Sequence, residues 1–197
     1  TLVAIGLGSV VFHATLVPWG QALDEVPMLW LGMVAAYGVL ENPHKEIRYG
    51  VGLPVALACW ALIVSIANVT FEGALQVVAF HTSFAISEIF FLGGSIRLHN
   101  SSPDPKVRSL FVIALVLYAL SILGWSCDNL LCGRLQNLPY GVPNPEFHAW
   151  LWHGGVGYAS YCLMMAHFFE RQRVLGKPKT SLVWHGLIIV PTEPKEA

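Results

Sequence analysis

A serine, two carboxylates and three histidines stand where an otherwise apolar chain would place them at the edge of a membrane. Ser9 and His13 are four apart, a spacing that sets both on one face of a helix. Asp24 and Glu25 follow just past the turn 17–22, and His148 and His153 lie beyond a long loop. Three imidazoles bind Zn²⁺ and leave a fourth position for water. The ion brings the pKa of that water down towards about 7. A neighbouring carboxylate can take its proton and hand it on to a leaving group, and a hydroxyl can steady a developing oxyanion. Membrane histidines also serve simply as hydrogen-bonded ties between helices. Three at one face beside a carboxylate fit a metal site and such ties equally well on these grounds alone.

The elements that position these residues are membrane helices. Of the 197 residues 55% are hydrophobic and 12% charged, against about 25% charged in a soluble domain. Apolar runs recur along nearly the whole chain, which implies an all-α, polytopic transmembrane bundle. Six spans are expected, at residues 1–16, 23–40, 51–68, 74–96, 109–125 and 146–169. The transmembrane domain would cover 1–170, and 171–197 would form a tail with a short apolar stretch at 181–190 lying on the surface. The first run makes about 24 Å of helix, short of the roughly 30 Å hydrocarbon core, so further sequence is expected upstream.

Alternating span direction brings the end of span one, the start of span two and the start of span six to one membrane face. Ser9, His13, Asp24, Glu25, His148 and His153 thus converge by parity. Ten of the eleven basic residues fall on the opposite side, which makes that side, with the C-terminus, cytosolic. Asn68-Val69-Thr70 is a glycosylation sequon close to the other side.

The run Gly6-Leu7-Gly8-Ser9-Val10-Val11-Phe12-His13-Ala14-Thr15-Leu16, followed by Leu23-Asp24-Glu25-Val26-Pro27-Met28, closely resembles the alkaline ceramidase family pattern G-x-G-S-x-x-F-H-x-T-L, then L-D-E-x-P-M. Trp125-x-x-Asp128-x-x-x-Cys132 and Glu146-Phe147-His148-Ala149-Trp150 agree in order and spacing. The resemblance implies a seven-span fold of which six spans are present here, and zinc-dependent hydrolysis of the amide bond of ceramide or phytoceramide. It implies His13, His148 and His153 as zinc ligands, Ser9 as oxyanion donor and Asp24 as the residue that orients or deprotonates the water. An endoplasmic reticulum or Golgi membrane follows by the same analogy. Other readings are another zinc hydrolase or lipid-responsive receptor of the wider superfamily, which includes adiponectin receptors, and a truncated, inactive relative. No nucleic-acid partner is expected, and protein partners stay open.

Two departures from the pattern bear on the site. The family's late histidines are four apart, whereas His148 and His153 are five apart. Five residues of regular helix turn about 500°, leaving the side chains about 140° apart. A π-bulge could absorb the extra residue, or His148 could lie in an irregular first turn after Asn144-Pro145. If neither happens one ligand is lost, with His81 in reserve. The family's first span and its acidic, Ca²⁺-binding segment are not in this sequence, so no complete calcium site is expected. Cys132 then lacks the family's disulfide partner unless Cys127 substitutes. Cys59 and Cys162, inside apolar runs, read as core residues. His81 and Glu88 read as a polar strut, the small residues of span six as close packing, and Trp19, Trp30, Tyr140 and Trp184 as interfacial anchors.

Overall fold

The computed structural model describes residues 2–41, 43–44 and 46–176, and the backbone of 181–185 and 188–192. The helices are α1 (Leu2–Thr15), α2 (Pro18–Glu41), α3 (Gly52–Thr70), α4 (Ala74–Ser101), α5 (Pro105–Leu130), the one-turn α6 (Cys132–Leu135) and α7 (His153–Val174). A π-helical turn, His148–Trp152, leads directly into α7. Ser181–His185 pairs antiparallel with Ile188–Thr192, so the apolar stretch expected at 181–190 forms most of a hairpin.

Four helices, α2 to α5, are long and apolar enough to cross a membrane, and α1 is apolar but shorter. α7 has the length, but its last turns carry Glu170, Arg171, Gln172 and Arg173. Several helices outrun their apolar runs. α4 continues past residue 96 to Ser101, because Arg97, His99 and Asn100 are polar without interrupting the backbone ladder. α5 begins at Pro105 rather than 109. Asp104 caps it, its Oδ1 accepting the Lys106 N–H at 2.7 Å, and proline suits the first turn.

The chain divides into two compact units, Thr1–Arg108 with Met164–Ala197, and Ser109–Leu163. In the first, α1 and α2 form a tight antiparallel hairpin. Leu16 takes a left-handed backbone (φ 54°) between them, and Pro18 opens α2. The helices touch backbone to backbone. A Cβ on Gly8 would meet the Leu23 carbonyl oxygen at 2.1 Å, and one on Gly20 would meet the Phe12 Cα at 3.2 Å. α2 also packs on α4 through glycines, Gly32 against the Ser87 side chain and Gly94 against the Val39 side chain. Without a hydrophobic drive between helices in lipid, such small-residue contacts are what packs them. Buried Leu29, Val64 and Phe80 form the core between α2, α3 and α4.

Polar ties complete this unit. Trp30, though exposed, donates its indole N–H to Ser65 Oγ at 3.2 Å and so joins α2 to α3. The Arg171 guanidinium donates to the carbonyls of Glu41 and His44. In the second unit Tyr118 and Ser160 share a hydrogen bond of 2.8 Å between α5 and α7. Gly155 faces Ser121 at a separation that no Cβ could occupy, whereas Gly154 and Gly157 face open space, so the close packing expected of this small-residue stretch holds at Gly155 among its glycines. Cys162 is fully buried, but Cys59 is exposed: it lies on the outward face of α3, where an apolar thiol needs no core.

Candidate active site

The α1–α2 hairpin builds one part of the site. With no side chain on Gly8, the backbones come close enough for Ser9 to reach α2. The Ser9 hydroxyl hydrogen-bonds the Asp24 carboxylate. Both residues are buried, and Asp24 Oδ1 is left without a hydrogen-bond partner. An acceptor held in this way, short of a donor, suits a residue that receives a proton during a reaction. His13 lies one helical turn beyond Ser9 on α1 and is exposed.

Glu25 is held separately. Its Oε1 accepts from Gln21 Nε2 at 2.8 Å, and its Oε2 accepts from Asn68 Nδ2 at 2.6 Å. Asn68 is 1% exposed. The sequon amide is thus engaged inside the protein and is not presented for glycosylation. His81, the reserve ligand, is exposed and shares a 2.8 Å hydrogen bond with the Val77 carbonyl of its own helix.

The start of α7 builds the other part. The segment 148–152 is wound as a π turn, which widens the helix to take one additional residue. His148 and His153 therefore stack, with ring centroids 5.2 Å apart and planes 18° from parallel. A regular helix would have turned them away from each other. Asn144 does act at the start of this region, but as a turn: its Oδ1 accepts the Glu146 N–H at 3.1 Å. Glu146 is left-handed (φ 47°), so the helical turn begins only after it.

Two residues of α5 that carried no role in the sequence support this turn. The Asp128 carboxylate accepts the backbone N–H of His148. Ser121 donates its hydroxyl to the Leu151 carbonyl at 2.9 Å. Trp152 packs against Trp125 and stands edge-on to His148, whereas Trp150 is exposed and donates to the Pro145 carbonyl. The available signal was spacing: 121, 125 and 128 recur at three and four residues and so share a face of α5.

The donor set suits zinc in kind, since imidazole is a common ligand for it. The stacked pair in one unit presents two such rings on one side. The long apolar helices define a polytopic helical membrane protein.

A family model for ceramidases matches residues 1–193, and the chain belongs to that family. Alkaline ceramidase 3 of Mus musculus is 27% identical over 199 residues, covering 96% of this chain and 73% of that protein. The alkaline ceramidase of Arabidopsis thaliana is 23% identical over 172 residues, covering 87% of this chain and 64% of its own length. Alkaline ceramidase 1 of Mus musculus is 28% identical over 152 residues, covering 73% and 52%. The chain thus spans between about half and three quarters of the length of these relatives.

Proposed function

We propose that this protein hydrolyses the amide bond of a ceramide-type lipid, releasing a sphingoid base and a fatty acid. His13, His148 and His153 would hold one zinc ion. The observation that carries this reading is the π turn, which sets the rings of His148 and His153 side by side although they are five residues apart. His13 would be the third ligand, because the segment around it carries the ceramidase pattern. When bound, zinc supplies a Lewis acid and makes water a nucleophile near neutral pH.

The chain's own residues would carry the protons. Asp24, with a free buried oxygen, takes a proton from the attacking water as its oxygen bonds to the carbonyl carbon. It returns that proton to the nitrogen as the C–N bond breaks. Ser9 orients this carboxylate before substrate arrives. Rotation about its side-chain bond would turn the same hydroxyl onto the carbonyl oxygen as negative charge develops there. The exposed apolar faces of α3 and α4 meet lipid, the phase from which a two-chain substrate comes. The basic end of the chain would face the cytosol.

The test is ceramide hydrolysis by the purified full-length protein in mixed micelles, with metal analysis. Zinc at one per chain is expected, with loss of both zinc and turnover in His13→Ala. Undiminished turnover in that variant would overturn the proposal.

A further inference from the structure

One face of α5 forms a cradle for the wide turn. An added residue in a helix leaves a carbonyl without its usual partner, and an orphaned carbonyl in a membrane helix is costly. The Leu151 carbonyl, within this turn, accepts a hydrogen bond from the hydroxyl of Ser121, which is fully buried. Ser121 reaches it because Gly155 has no side chain; a Cβ there would lie 2.1 Å from Ser121 Oγ. The Leu151 side chain is taken up at Gly124, where a Cβ would lie 2.6 Å from Leu151 Cδ2. At the open end Asp128 takes the His148 N–H. Ser121, Gly124 and Asp128 thus answer the carbonyl, the side chain and the first N–H of one irregular turn.

We infer that Ser121 and Asp128 are positioning residues for the metal ligands: they fix the π turn and through it keep His148 and His153 on the same side. This rests on the reading above that the two histidines share one ion. Neither residue touches substrate on this account. Their effect passes through the backbone of 148–151.

Zinc affinity of the full chain in detergent, measured by competition with a chromophoric chelator, tests the inference. Ser121→Ala and Asp128→Ala should each weaken zinc about 10- to 100-fold, the usual effect of losing a group that holds a ligand in place. Asp128→Asn keeps an acceptor oxygen and should restore most of the affinity. Deleting Leu151 gives the histidines a four-residue spacing, which a regular helix satisfies with no orphaned carbonyl. That deletion should rescue Ser121→Ala, an outcome that a merely stabilising serine would not produce. If Ser121→Ala does not fold, Ser121→Thr, which retains the hydroxyl, and the Asp128 pair decide. Wild-type affinity in Ser121→Ala and Asp128→Ala, while His13→Ala loses zinc, would overturn the positioning role alone. Failure of the Leu151 deletion to rescue would do the same. A wild-type protein that binds no zinc would overturn the metal reading and this inference with it.

Discussion

Replacing Gly8 by alanine tests whether the α1–α2 approach places Ser9 against Asp24, the pair proposed to act on substrate. The new Cβ would lie 2.1 Å from the Leu23 oxygen, 2.5 Å from its carbonyl carbon and 2.9 Å from the Asp24 nitrogen. All three are backbone atoms, so no side chain can swing aside. Ordinary contact begins near 3.4 Å, so the helices must part by about 1 Å where Ser9 meets Asp24. Overpacking of this kind costs about 1–3 kcal/mol of stability. A misplacement of about 1 Å lowers a rate by about 100-fold. Gly6→Ala is the matched control, because nothing lies within 4 Å of its Cβ. Both variants carry the same intrinsic gain in helix propensity, and the difference between them isolates the contact. Ceramide turnover and thermal unfolding in detergent are the readouts. Wild-type kcat/KM is expected for Gly6→Ala and a fall on the order of 100-fold for Gly8→Ala. Equal activity in the two would refute the argument that backbone proximity sets the site.

Asp24→Asn should lower kcat by about 10²- to 10⁴-fold while leaving zinc at one per chain; zinc loss or unchanged kcat would count against a proton-transfer role. Asn68 should carry no glycan, so glycosidase treatment should not shift the mass. Asn68→Leu should destabilise the protein by about 1–3 kcal/mol, since it strips an amide from Glu25. Arg171→Ala should cost about 1–3 kcal/mol and speed proteolysis between α2 and α3, because the guanidinium holds the carbonyls of Glu41 and His44. Unfolding midpoints and limited proteolysis of the full chain check both.

The helical class was legible because a long apolar run has few alternatives in a bilayer. The meeting of Ser9 with Asp24 was legible from the turn 17–22 and the reversal of span direction across it. The pair His148 and His153 was legible only as a choice, since five residues fit a wide turn or an irregular start, and hydrogen bonds from a distant helix decide which. Asp128 stood out only as part of a family block and Ser121 not at all, because each acts on a residue twenty or more positions away. Helix ends were read too short at 96 and 109, where polar residues continue a ladder that hydropathy alone cannot follow. Trp30 and Asn68 look like surface residues by type, but their partners lie on a neighbouring helix.

The wide turn also governs how α7 can be compared with other helices. A residue added to a regular helix would swing everything on one side of it by about 100°. Gly155, Ala159, Cys162, Leu163 and Ala166 instead keep to a single buried stripe below the turn. The turn above that stripe takes up the fifth residue, so that His148 still stands beside His153. Equivalent positions on its two sides must be matched in space, because counting along the chain will always misalign one histidine.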